Sequence, residues 1–103
     1  MERIDKLKEY LQANPKDSFL RHALALEYIK LGDDFSAQNI FEALLNDDKE
    51  YIGSYYHLAK LFERGNETAK AIACYEKGMK MAKAAKDNHA YNELQAAYED
   101  LVY

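Results

Sequence analysis

Apolar residues recur at spacings of three and four along nearly the whole chain, the spacing that gathers side chains on one face of an α-helix. The pattern predicts six helices. The first spans residues 2–13, with Ile4, Leu7, Tyr10 and Leu11 on one face. The second spans 17–31, with the stripe Leu20, Leu24, Tyr28 and Leu31 and Ala25 beside it. The third, 35–46, carries Ala37, Ile40, Phe41, Leu44 and Leu45. The fourth, 51–64, turns Tyr55, Leu58, Ala59 and Phe62 inward, the fifth covers 67–86, and the sixth, 89–101, carries Tyr91, Leu94, Tyr98 and Leu101.

The breaks between these stripes have chemical signatures. Asn14-Pro15 ends the first helix, since proline cannot continue a helix but fits the first turn of the next, which Asn14 is expected to cap. Gly32 supplies the left-handed backbone with which helices often end, and Asp33 or Asp34 is the expected cap of the third helix. Residues 47–50 are a polar connector; Gly65-Asn66 breaks the fourth helix, with Asn66 the expected cap of the fifth, and Asp87-Asn88 marks the last break. Every break is short, so consecutive helices are expected to pack as antiparallel neighbours.

Compared with itself at an offset of 34 residues, the chain matches Leu24 to Leu58, Ala25 to Ala59, Tyr28 to Phe62, Ala37 to Ala71, Ile40 to Cys74, Phe41 to Tyr75 and Leu45 to Met79. The matched positions are the inward ones, as expected of two helix pairs with the same packing and different surfaces. A 34-residue helix–turn–helix period with these residues resembles the tetratricopeptide repeat. The first unit has Leu24-Ala25, Tyr28, Ala37 and Phe41; the second has Tyr55, Leu58-Ala59, Phe62, Ala71, Tyr75 and Gly78. Arg21 stands where the first unit should carry a bulky residue, for which Leu20 or Phe19 is the expected substitute; Leu44 replaces a small residue, and Lys49 and Lys83 stand at closing positions usually held by proline. The resemblance implies an all-α fold, a right-handed superhelix of antiparallel helix pairs. It divides one domain, 1–103, into a half-repeat or capping helix (1–14), two repeats (18–51 and 52–85) and a second half-repeat or capping helix (87–102).

Composition narrows the function classes. The 103 residues are 49% hydrophobic and 31% charged, which fits one folded domain. A net charge of -4 argues against a dedicated nucleic-acid binder. The lysines of the fifth helix, Lys70, Lys77, Lys80, Lys83 and Lys86, wind around it instead of forming one stripe. No apolar run approaches the length needed to span a bilayer and no signal peptide is evident, so no membrane association and a cytoplasmic location are expected. The lone Cys74 matches Ile40 in the repeat and reads as a small core residue. His22, His57, His89 and Cys74 lack the short pairwise spacings of metal ligands, and phosphate-loop or nucleophile motifs are missing, so no metal, no cofactor and no enzymatic activity are expected.

In the tetratricopeptide family the first helices of the units line a concave groove that binds peptides. Carried over by position, the resemblance implies partner-binding residues Phe19, His22, Leu26, Ile29 and Lys30 in the first unit and Tyr56, His57, Lys60, Glu63 and Arg64 in the second, with Asn92, Glu93, Ala96, Glu99 and Asp100 on the last helix. Most of them lie off the inward stripes. A family mode in which Lys and Asn clamp a C-terminal carboxylate is not matched, because His22, Leu26 and His57 occupy its positions. The expected function is a protein-interaction module for a peptide or protein segment. The alternative is a self-associating scaffold subunit that uses its terminal helices, which makes a homo-oligomer a second expectation.

Overall fold

A computed structural model describes residues 2–103. Among the described residues the chain forms six α-helices and no strand: α1 (Glu2–Ala13), α2 (Ser18–Lys30), α3 (Asp34–Asp47), α4 (Gly53–Arg64), α5 (Thr68–Ala84) and α6 (Asn88–Val102). They fall into two compact units, Met1–Lys49 and Glu50–Tyr103, each of three helices.

In the first unit Ile4, Leu7, Ala23 and Leu24 are buried together, with Leu11, Leu20, Tyr28 and Ile40 packed against them. The helices run antiparallel, as the ion pairs at their ends show. Arg3 near the start of α1 meets Glu27 near the end of α2 at 3.1 Å. Arg21 near the start of α2 meets Asp47, the last residue of α3, at 2.6 Å, where Lys16 joins at 3.0 Å. In the second unit α5 lies between α4 and α6. Cys74 is buried and its thiol reaches the Tyr55 carbonyl at 3.4 Å. Gly78 lies where α4 and α6 both press on α5: an added Cβ would stand 2.7 Å from Tyr55 Cβ and 3.1 Å from Leu94 Cδ1.

The small residues picked out by the repeat are buried, Ala25, Ala37, Ala59 and Ala71 completely, and so are Phe41 and Tyr75. Two inward assignments need correction. Tyr10 is 51% exposed and Leu31 46% exposed. Tyr10 lies at the edge of the α1 stripe, beyond the strip that α2 covers; Leu31 has passed the end of α2 and sits in the turn.

The bulky residue missing at position 21 has a structural replacement. Tyr55, its counterpart 34 residues on, is 2% exposed and requires Gly78 beside it. Arg21 instead sends its guanidinium to Asp47 with a side chain only 12% exposed, and the counterpart of Gly78 is the fully buried Leu44. The first unit therefore places its bulk on the second helix of the pair, and the second unit on the first. Total volume is what a close-packed interior conserves.

Three turns share one design. Gly32, Asn66 and Lys86 take left-handed backbone with φ of 79°, 61° and 59°. The amide of the next residue then reaches back five positions: Asp33 to Tyr28 at 2.9 Å, Glu67 to Phe62 at 2.8 Å and Asp87 to Ala82 at 2.9 Å. This is the Schellman closure, which satisfies carbonyls left open at a helix end. The same next residue opens the following helix. Asp33 and Asp87 accept side-chain bonds from the amides of Ser36 and Ala90. Asn66 is therefore not the cap of α5, as its residue type suggests. It ends α4 instead, because asparagine tolerates left-handed backbone. Nor does Asn14 cap α2. That cap is Asp17, whose carboxylate accepts from the Leu20 amide at 2.9 Å, while the Asn14 amide donates to the Tyr10 carbonyl at 3.1 Å. Lys86 adopts its left-handed angle at a steric cost that glycine would not bear. Lys86→Gly is expected to raise stability by up to about 1 kcal/mol, read from chemical denaturation.

Candidate functional site

On α2 the candidate residues lie on the flanks of the buried stripe Ala23, Leu24 and Ala25. Phe19 is the most open of them, at 68%. His22, Leu26 and Ile29 are half-buried and Lys30 is exposed. His22 sits edge-on to Phe41, with ring centroids 5.5 Å apart. Lys30 pairs with Glu27 at 3.1 Å. Glu27 also receives Arg3, and these two cations hold its carboxyl below the usual carboxylate range. The α2 face thus offers one open aromatic ring, two half-covered aliphatic side chains and a cation already engaged.

On α4 the arrangement is denser. Tyr56 and His57 stand edge-on, centroids 5.7 Å apart, and the Lys60 ammonium lies 5.6 Å from the Tyr56 ring centre. Cations over aromatic faces are held by the ring quadrupole. Lys60 also faces Glu63 at 3.5 Å. Glu63 accepts a hydrogen bond from the hydroxyl of Tyr75, whose ring is fully buried on α5. Burial and the Glu63 carboxylate together push the Tyr75 hydroxyl well above its ordinary value, so it remains a donor at any physiological pH. The bond fixes Glu63 and, through it, Lys60. Half-burial lowers the pKa of His57, with Arg64 adding to the effect and Glu93 opposing it. The imidazole is therefore neutral at neutral pH, and the positive charge of this face comes from Lys60 and Arg64. A proton-NMR titration is expected to find the His57 midpoint below 6.5, the unperturbed value. Folding then favours the neutral ring, so its share of stability is present above that value and declines as pH falls through the lowered midpoint.

The α6 candidates Asn92, Glu93, Ala96, Glu99 and Asp100 are all exposed. Among the described residues no three His, Cys, Asp or Glu side chains are grouped as a metal ion would require. No helix among them is long and apolar enough to cross a membrane. Lys70 of α5 is held by Glu67 at 2.9 Å and lies over the Phe62 ring; Lys77, Lys80, Lys83 and Lys86 are exposed. Sequence reasoning missed the Tyr75–Glu63 bond. Its only signal was a tyrosine at the position that holds Phe41 in the first unit, where a hydroxyl must find a partner once its ring is buried.

The fold recurs in a known protein. The solution structure of a tetratricopeptide repeat domain protein from Salinibacter ruber matches this chain with a TM-score of 0.82 and 39% identity, over 85% of this chain and 89% of that one. This chain belongs to the tetratricopeptide repeat family. A crystal structure of a tetratricopeptide repeat domain protein from Salinibacter ruber agrees, with a TM-score of 0.80 and 39% identity over 82% of this chain and 96% of that one. A protein from Bordetella parapertussis shares the fold at 23% identity, with a TM-score of 0.81 over 95% of this chain and 85% of that one. No protein-family profile matches the sequence, and no curated protein sequence does so either. Tetratricopeptide repeats are a scaffold for protein–protein interaction, so the membership supports that broad role and leaves the partner to the chemistry of the exposed faces.

Proposed function

We propose that this tetratricopeptide repeat protein is a non-enzymatic interaction module that holds a segment of a partner protein on the faces of α2 and α4, the first helices of repeats 18–51 and 52–85. The observation that carries the proposal is the α4 cluster. Tyr56, His57, Lys60 and Glu63 are locked to one another by ring contacts, a cation over a ring and an ion pair, and Glu63 is anchored from behind by Tyr75. A preorganised aromatic and charged patch loses little side-chain freedom on binding, the property of surfaces that carry most of a binding energy. Phe19 on α2 is a second aromatic anchor, held open with no packing duty of comparable size. Lys60 and Arg64 favour a partner segment with carboxylates near an apolar side chain. The proposed setting is the cytoplasm.

The test begins with affinity capture and mass spectrometry, followed by titration calorimetry of the identified segment against Phe19→Ala/Tyr56→Ala. Both residues are partly or largely exposed, so the double variant should keep its helical circular dichroism. An affinity loss of at least about tenfold, roughly 1.4 kcal/mol, is expected. Unchanged affinity in the folded variant would remove α2 and α4 as the binding faces.

A further inference from the structure

Tyr75 of α5 corresponds to Phe41 of α3, 34 residues earlier, and both side chains are fully buried. Phe41 shows that packing at this position asks only for an aromatic ring. The Tyr75 hydroxyl is therefore surplus to the core, and a hydroxyl taken out of water costs free energy unless it finds a partner. It finds Glu63 of α4, whose side chain is 27% exposed. One carboxylate oxygen, Oε2, accepts from the hydroxyl and also faces the Lys60 ammonium at 3.5 Å. Lys60 in turn lies over the Tyr56 ring, 5.6 Å from its centre. A chain of contacts thus runs from a buried ring to the solvent face of α4.

The same positions in the first repeat are His22, Leu26, Ile29 and Phe41. They bring no carboxylate, no ammonium and no hydroxyl. The three groups are present together in one repeat and absent together in the other, and each depends on the next. Without a carboxylate at 63 the hydroxyl at 75 would lose its partner. Without the hydroxyl, Glu63 and Lys60 would be one partly exposed pair at i,i+3, and such a pair does little to hold two long side chains in one geometry.

We propose that Tyr75 is a positioning residue for the α4 binding face. Without touching the partner, its hydroxyl holds the Glu63 carboxylate in one rotamer and, through it, keeps Lys60 over the Tyr56 ring. The inference rests on the reading of α4 as a binding face and adds to it a determinant that lies inside the core. Its consequence is that one buried oxygen atom, which packing does not need, sets the strength of binding at the surface. The partner segment meets side chains whose freedom was lost on folding, so less is lost on binding.

Tyr75→Phe keeps the buried ring and deletes only the hydroxyl, and circular dichroism checks that the variant is folded. Three-bond couplings of the Glu63 side chain are expected to show one χ1 rotamer in the native protein and averaging over rotamers in the variant. Titration calorimetry with the captured segment is expected to show binding about three- to tenfold weaker in Tyr75→Phe, the effect of ordering one or two long side chains at the moment of binding. A purely structural hydroxyl would lower the unfolding midpoint and leave the couplings and the affinity of the folded variant unchanged; that result overturns the proposal. So does rotamer averaging of Glu63 in the native protein. Tyr56→Ala separates the proposal from the reading beneath it. Weaker binding in Tyr56→Ala with unchanged binding in Tyr75→Phe overturns the positioning role alone. Unchanged binding in both overturns the α4 face as well.

Discussion

Phe41→Ala is expected to cost about 3–5 kcal/mol, enough to leave much of the protein unfolded at modest denaturant concentration. Phe41 is 0% exposed and stands at the α3 position that the repeat reserves for an aromatic. Its ring meets His22 edge-on, so the substitution removes a buried aromatic, leaves a void and takes away one ring contact of an α2 residue proposed to bind the partner. Urea unfolding followed by circular dichroism measures the loss. Phe41→Leu keeps most of the volume and is expected to lose well under half as much. If Phe41→Ala were nearly neutral, α3 would not be packed as described.

Gly78→Ala is the second large effect, and its sign is diagnostic. Helix propensity alone favours alanine over glycine by about 1 kcal/mol in the middle of a helix such as α5. The added methyl would stand 2.7 Å from Tyr55 Cβ and 3.1 Å from Leu94 Cδ1, and neither atom can simply swing away. Tyr55 is 2% exposed and Leu94 is 2% exposed. Overpacking of a closed site costs about 1–3 kcal/mol, and contacts this short belong at its upper end. A net loss of about 2 kcal/mol is expected. A gain would mean that α4, α5 and α6 are further apart than their geometry here. Gly32 is the useful contrast. Nothing lies within 4 Å of its added Cβ, so a Gly32→Ala penalty would come from its φ of 79° alone.

Most of the fold was legible in the sequence. The spacing of Leu24, Ala25, Ala37 and Phe41, and its recurrence at Leu58, Ala59, Ala71 and Tyr75, depends on packing rules that act locally and repeat. Less legible was what depends on a partner distant in sequence. Arg21 looked like a flaw in the repeat, because its use is an ion pair with Asp47, 26 residues on. Asn66 looked like a cap, because asparagine suits both a helix start and a left-handed stop, and only the Glu67 amide bond to Phe62 decides between them. Tyr10 looked like core because it lies one step from the stripe of buried Leu7 and partly buried Leu11, where periodicity marks an arc and not its edge.

The candidate site was legible as a set of positions and not as an arrangement. The family register singled out Tyr56, His57, Lys60 and Glu63. Their locking through Tyr75 is a tertiary effect, as is the half-burial that keeps His57 neutral.

The most direct test of the central claim, that the first helices of the repeats hold the partner, is an NMR titration of the isotope-labelled protein with the captured partner segment. The expected result is that the largest shift changes fall on α2 and α4, at Phe19, His22, Leu26, Tyr56, His57 and Lys60, while the outer face of α5 around Lys77 and Lys80 stays still. Changes confined to α5, or to α1 and α6, would contradict it.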